Sequence, residues 1–336
     1  MTTIAVLGAG AWGTAFACHL AARASSTPRV LLWWRDAAAA RAAGQSRENA
    51  RYLPGVALPA ALECTADLRL AAGADVLVLA TPVAALPALM QRLAEVGATA
   101  PLVSLAKGFV PAPAIAAGVA LTHEVLAPAW AAPVAVLSGP SFAAEVARGL
   151  PTALTVAATD AGFAERVAAL VRGDAMRVYA TDDIAGVEVG GAVKNVLAIA
   201  AGASDGLEFG HNARAALITR GLAETARLAT ALAGRRDTIM GLSGLGDLVL
   251  TCTGNMSRNR QVGLALAKGQ SLRTILADLG HVAEGVGAAR AVRVLADLHG
   301  VDMPICQAVD RVLHDGLSPR AAVEALLQRE PRAERH

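Results

Sequence analysis

The tightest constraint on this chain lies in its first fourteen residues. An apolar run from Thr3 to Leu7 ends directly on Gly8-Ala9-Gly10-Ala11-Trp12-Gly13, and an unbroken helical stretch opens at Thr14. Strand, glycines at the first, third and sixth positions, then helix is the order in which each glycine has a geometric task. The first makes a tight turn, the second lets a ligand approach the backbone, and the third lets the helix pack closely on the strand. The helix N-terminus then offers unpaired N–H groups and a partial positive charge, which suit a diphosphate. Gly8, Gly10 and Gly13 therefore predict a dinucleotide site.

The rest of the N-terminal half continues the pattern. Short apolar runs at Val30 to Trp34, Asp75 to Ala80, Leu102 to Ala106, Val134 to Leu137, Thr152 to Ala157 and Arg177 to Tyr179 alternate with Ala-rich helical stretches. Such alternation predicts an α/β domain with a parallel sheet covered on both faces. After Asp183 helical stretches dominate, at Gly186 to Ala203, Asn212 to Leu232, Arg258 to Ala267 and Ala283 to His299. The expected organisation is a Rossmann-type domain over residues 1–182 followed by an all-α domain over residues 183–336, with the change of period alone marking the boundary.

Composition narrows the function classes. At 336 residues the chain exceeds what one core usually organises, and 54% hydrophobic residues supply material for two. A formal charge of +2 leaves no polybasic face for a polyanion, and 3% aromatic residues are too few for base stacking, so nucleic acid is not an expected partner. The uncharged stretches Val125 to Ala144 and Val76 to Gln91 are interrupted by prolines, and neither reads as a membrane span. With no cation before Arg23, the apolar start reads as a buried strand rather than a secretory signal. Cys18, Cys64, Cys252 and Cys306 have no paired spacing, which predicts neither disulfides nor a metal site, and a cytoplasmic location is expected. None of the seven histidines has metal-ligand spacing, so no metal is assigned.

Lysine occurs only at positions 107, 194 and 268, against 27 arginines. Arginine keeps its proton near neutrality and lysine can release it, so a chain that otherwise prefers Arg places Lys for a reason. Lys107 ends an apolar strand, at the sheet edge where α/β proteins bind ligands, and Lys194 lies inside an apolar helix, a salt bridge or a snorkelling surface cation being the competing reading of each. Lys268 reads as a helix C-terminal cation without a further role. Gly241 to Arg260 gathers Asp247 between glycines and Ser257, Arg258 and Asn259 at a helix start, where a hydroxyl, a guanidinium and an amide suit a phosphate. An ordinary N-cap by Ser257 is the competing reading. Ser138 to Phe142 forms a loop at the same sheet edge, suited to contacts with substrate or nicotinamide, with a plain turn as the competing reading. At the end of the second strand, Arg35 favours the 2′-phosphate of NADP, and Asp36 serves the ribose diol of NAD if it turns inward or caps the next helix if it does not. The lean is to NADPH, with NADH also accepted.

Together these stretches resemble the bacterial NAD(P)-dependent sn-glycerol-3-phosphate dehydrogenases over nearly the whole chain. The resemblance is carried by Gly8 to Gly13, Lys107-Gly108, Ser138 to Glu145, Gly186 to Gly221, Gly244 to Arg260 and Glu284-Gly285. It implies a Rossmann domain joined to a helical one and the reversible reduction of dihydroxyacetone phosphate, whose product supplies the glycerophospholipid backbone. It implies Lys194 as the proton-transfer residue, with Lys107, Gly139, Ser141, Asp247, Ser257, Arg258 and Asn259 at substrate positions. Trp12, Arg35, Tyr52, Lys107, Ala143, Arg258, Val282 and Glu284 fall at cofactor positions. Ala11 stands where the family usually has Ser, and Thr81-Pro82-Val83 where it usually reads Val-Pro-Ser. A β-hydroxyacid-type dehydrogenase and a non-catalytic dinucleotide-binding redox sensor are the alternatives, and a homodimer is expected from the habits of soluble enzymes.

Overall fold

The structure, a computed structural model, describes residues 2–22, 28–280 and 283–329. These divide into two compact units, one of residues 1–106 and 122–184, the other of residues 107–121 and 185–336.

The first unit is built on an eight-stranded sheet. In spatial order its strands are Met176–Thr181, Thr152–Ala158, Val134–Ser138, Leu102–Ser104, Val76–Leu79, Thr3–Leu7, Arg29–Trp33 and Leu62–Thr65. Ile4, Ala5, Val6 and Leu7 are all fully buried, as a central strand covered on both faces requires. Thr3–Leu7 is flanked by Arg29–Trp33 on one side and Val76–Leu79 on the other, so the strand order reverses at its end and opens a crevice there. The sheet is parallel except where Val134–Ser138 pairs antiparallel with Thr152–Ala158. The apolar runs predicted seven strands to within two residues at each end. Missing from that set was the edge strand Leu62–Thr65, where only Leu62 is fully buried and Glu63 faces outward to pair with Arg29.

Helical elements make up most of the second unit. Its centre is the helix Ile184–Gly206, which shares one apolar core with Gly210–Ala231, Asp247–Thr253, Arg258–Ala267, Glu284–His299 and Pro304–His314. That central helix is long and apolar enough to cross a membrane, but it carries Glu188, Lys194 and Asp205, and 89% of its most apolar window is buried in the structure. The described residues of 185–336 form helices and no strand, as expected, and residues 107–121 add to the same unit the antiparallel ribbon Val110–Pro111 with Val119–Ala120. The chain therefore enters this unit before Asp183 as well as after it, and Phe109 and Leu121 belong to its core.

Small residues set how closely the helices approach. A Cβ at Gly263 would stand 2.0 Å from the Ile199 carbonyl oxygen, and one at Gly202 would stand 2.0 Å from the Arg260 carbonyl oxygen. Helix Arg258–Ala267 thus meets the central helix backbone to backbone. Its start is fixed twice, by Ser257 Oγ accepting from the Arg260 N–H at 3.2 Å and by Arg260 donating to Asp205 at 2.6 and 3.0 Å.

Candidate active site

In the first unit the glycine turn has the geometry its sequence predicts. Gly8 has φ +124°, and a Cβ there would lie 2.8 Å from the Ala80 carbonyl oxygen. At Gly13 a Cβ would lie 2.0 Å from the Gly8 carbonyl oxygen, so the first helix closes directly on the turn. Gly10 differs, with open space where its Cβ would stand, and it is the N-cap of the helix Ala11–Ala21 without any side-chain cap. The first N–H groups of that helix are thus offered at an open face, the cradle a diphosphate needs. Beside it Trp12 packs on Phe16, and Trp12 Nε1 and Thr81 Oγ1 are buried polar atoms without a hydrogen-bond partner among the described residues. These features fit a bound dinucleotide.

Arg35 is exposed. Asp36 caps the helix Ala37–Ser46, its Oδ1 accepting from the N–H groups of Ala38 at 2.8 Å and Ala39 at 3.3 Å. Of its two predicted readings the structure has the cap. Tyr52 lies in the short link between Glu48–Asn49 and Leu53–Ala57, with Arg51 over its ring. Gly139 takes φ +135° at the end of its strand, Ser141 Oγ donates to the Gly139 carbonyl at 2.9 Å, and Ala143 opens the helix Ala143–Ala147. Val83, which stands where the family usually has Ser, is buried at 7% exposure in the short 3-10 turn Val83–Ala85.

The second unit brings its predicted residues into one cluster. Gly190 and Lys194 are one turn apart on the same face of the central helix. Because Gly190 has no Cβ, the Ser243 carbonyl oxygen approaches to within 2.6 Å of where one would be. The chain then runs through a π-helical turn, Leu242–Gly246, into the helix beginning at Asp247. The glycines thereby set the carboxylate beside the lysine. Lys194 Nζ donates to Asp247 Oδ1 at 2.6 Å and to Thr251 Oγ1 at 3.0 Å, and Lys107 Nζ donates to Asp247 Oδ2 at 2.7 Å. Thr251 in turn donates to the Asp247 carbonyl at 2.6 Å.

Burial determines the chemistry of this cluster. Asp247 is 1% exposed and Lys194 7%. Burial brings the Lys194 ammonium down to about 8, an effect opposed by Asp247 and reinforced by Lys107. For Asp247 burial alone acts upward, but the two ammonium groups outweigh it and hold the carboxyl below the usual range. Lys194 is therefore mostly protonated at neutral pH and close to giving its proton up.

A chain of amides runs alongside. Asn259 Nδ2 donates to Asn195 Oδ1 at 2.8 Å, Asn195 Nδ2 donates to the Lys107 carbonyl at 3.2 Å, and Asn259 Oδ1 accepts from the Gly285 N–H at 3.1 Å. With that side chain engaged internally, an anion at this helix start would meet chiefly the first backbone N–H groups and Arg258, exposed as a residue although partial burial of its guanidinium acts to lower its pKa. Glu284, which opens the helix Glu284–His299, lies within electrostatic reach of Arg258. Val282 lies outside the described residues. Sequence reasoning missed Thr251, whose spacing of four from Asp247 on a helix does not by itself tell a buried partner from a solvent-facing residue.

Comparison with known proteins bears on both units. Residues 3–164 match the family described as NAD-dependent glycerol-3-phosphate dehydrogenase N-terminus, and residues 183–324 the one described as its C-terminus. The chain is 55% identical to the glycerol-3-phosphate dehydrogenase [NAD(P)+] of Aromatoleum aromaticum, covering 98% of this chain and 99% of the relative. It is 56% identical to the enzyme of that name from Delftia acidovorans, again over 98% and 99%. A crystal structure of glycerol-3-phosphate dehydrogenase from Coxiella burnetii superimposes with a TM-score of 0.91 at 41% identity, over 98% of this chain and 99% of that one. Neither the β-hydroxyacid reading nor the sensor reading finds support in these matches. With both halves matched in order and more than half of all positions identical to those relatives, the chain belongs to the NAD-dependent glycerol-3-phosphate dehydrogenase family.

Proposed function

We propose that Lys194 is the proton-transfer residue of the family reaction, the reversible NAD(P)H-dependent reduction of dihydroxyacetone phosphate to sn-glycerol 3-phosphate. The observation that carries this reading is the pair of ammonium groups, Lys194 buried and Lys107 half-buried, sharing the one buried carboxylate of Asp247. When bound, the nicotinamide supplies the hydride that reaches C2 of the substrate. Lys194 Nζ then gives its proton to the oxygen on C2, and in the reverse direction the neutral amine takes it back. Asp247 and Thr251 orient the amine by accepting two of its hydrogen bonds, and Thr251 is itself tied to Asp247 Oδ1 at 3.2 Å. Lys107 adds a second positive charge that favours the developing alkoxide. Arg258 and the first N–H groups of its helix hold the phosphate and fix C2 relative to Nζ. Ser257 and Asn259 serve this grip through the backbone they position, and Gly139 and Ser141 are further substrate contacts.

For the cofactor, residues 1–182 form the dinucleotide-binding part and residues 183–336 the substrate part. Gly8, Gly10, Ala11, Trp12 and Gly13 hold the diphosphate side, with Tyr52, Lys107, Ala143, Arg258, Val282 and Glu284 as further contacts. NADPH is favoured over NADH, because Asp36 spends Oδ1 on its helix while Arg35 remains exposed for the 2′-phosphate. A homodimer in the cytoplasm that feeds glycerophospholipid synthesis completes the reading. The test follows NADPH and NADH absorbance when dihydroxyacetone phosphate is added to wild-type protein and to Arg35→Ala. Oxidation of both cofactors is expected, with the NADPH rate the higher and selectively reduced in the variant. No oxidation of either cofactor would overturn the reading, and equal effects on both would remove Arg35 from it.

A further inference from the structure

Asn49 has no part in the site as assigned above, yet it joins three segments of the dinucleotide-binding part. It is 2% exposed. Its Nδ2 donates to the Ala9 carbonyl at 2.9 Å and to Thr14 Oγ1 at 2.8 Å, and its Oδ1 accepts from the Tyr52 N–H at 3.3 Å. Both donors and the carbonyl of the amide are thus engaged, with the glycine turn, the first helix and the link that carries Tyr52. Thr14, at 0% exposure, is as enclosed as its partner.

The bond to Ala9 matters because of the peptide that follows. The Ala9 carbonyl and the Gly10 N–H belong to one planar unit, and in a trans peptide they point in opposite directions. Drawing the carbonyl toward Asn49 therefore turns the Gly10 N–H to the other side. Gly10 is the helix N-cap, with open space where its Cβ would stand, and its peptide directly precedes the N–H groups of the cradle described above. Donation to the carbonyl also polarises the unit and makes its N–H a stronger donor. Gly8 and Gly13 restrict the turn by backbone contact, which limits how close neighbours come but does not choose the peptide's direction.

We infer that Asn49 is a positioning residue for the dinucleotide diphosphate: it orients the Ala9–Gly10 peptide so that the Gly10 N–H faces the ligand, and it ties the segment bearing Tyr52 to the same turn. The inference rests on the reading of the glycine turn as the dinucleotide site. Asn49→Leu keeps similar bulk, removes both donors and adds no charge near the diphosphate, and Thr14→Val removes only one of the two acceptors. Both are compared with wild type in NADPH fluorescence titration, in steady-state kinetics with each substrate varied, and in thermal unfolding.

For Asn49→Leu the NADPH Kd and KM are expected to rise about tenfold, while the KM for dihydroxyacetone phosphate stays within about twofold, as expected when one buried hydrogen bond that orients a ligand contact is lost. Thr14→Val is expected to show a smaller rise in the same constants with an unfolding temperature near wild type. An unchanged NADPH Kd in both variants overturns the inference, as does an equal rise in the KM of both substrates. Should Asn49→Leu fail to fold, Thr14→Val decides alone, and an unchanged Kd in it counts against the role. Wild-type protein that does not bind NADPH at all overturns the dinucleotide reading instead, a result separate from any difference between variants.

Discussion

Two ammonium groups held on one buried carboxylate define the chemistry at the scale of single residues. Removing Asp247 would leave Lys194 and Lys107 repelling each other in a site where each charge is poorly solvated, so its loss is expected to be as damaging as that of a reacting group. The lowered Lys194 ammonium gives the reaction a direction-dependent pH profile. Reduction needs the protonated form, so its turnover is expected to fall as pH rises through about 8, and oxidation needs the free amine, so its turnover is expected to rise over the same range. Initial rates in both directions between pH 6 and pH 10 check this, and profiles that fall together would contradict it. Lys107 and Lys194 were legible because Lys is rare in a chain that otherwise chooses Arg. Thr251 and Asn49 were not: a Thr one turn beyond an Asp, or a lone Asn after Arg47-Glu48, has the same appearance whether it points to solvent or to a buried partner.

Among the helices, close approach and capping hold the site's supports in place. Helix Arg258–Ala267 depends on Gly263 lying against the backbone of Ile199, so Gly263→Val must separate the two helices. A loss of about 3 kcal/mol or more is expected, seen as a fall of roughly 10 °C in unfolding temperature. A change under about 2 °C would mean that this crossing is not tight. The helix Pro304–His314 has a buried cap of another kind, the carboxylate of Glu224, which accepts from the N–H groups of Ile305 at 2.8 Å and Cys306 at 3.1 Å. Burial pushes the Glu224 carboxyl up from 4.5 to about 7, against the pull of those N–H groups. Between these values the folded chain keeps a proton that the unfolded chain has lost, so the stability this group contributes is full below 4.5 and falls away as pH rises through about 7. Glu224→Gln cannot ionise, and its deficit in unfolding temperature relative to wild type is expected to be larger at pH 5 than at pH 8. A deficit that grows with pH would reverse the sign and refute the assignment.

Across the whole molecule, what the sequence made legible depended on whether burial alone decides an element. Central strands such as Thr3–Leu7 are apolar wherever both faces are covered, here from Ile4 to Leu7, and they were read correctly. Strand direction is not written in an apolar pattern, so the antiparallel pairing of Val134–Ser138 with Thr152–Ala158 was invisible. Residues 107–121 posed a related problem, since Phe109 and Leu121 suit either core equally well as apolar residues. Only the folded chain assigns them to the second unit, and with them Lys107 to the same unit as Lys194 and Asp247. The central claim is that this cluster moves the proton. Its most direct test measures dihydroxyacetone phosphate reduction and NADPH affinity in Lys194→Ala beside wild type. Turnover lower by about 10²–10⁴-fold with NADPH affinity retained is the expected result, and turnover near wild type would contradict the account.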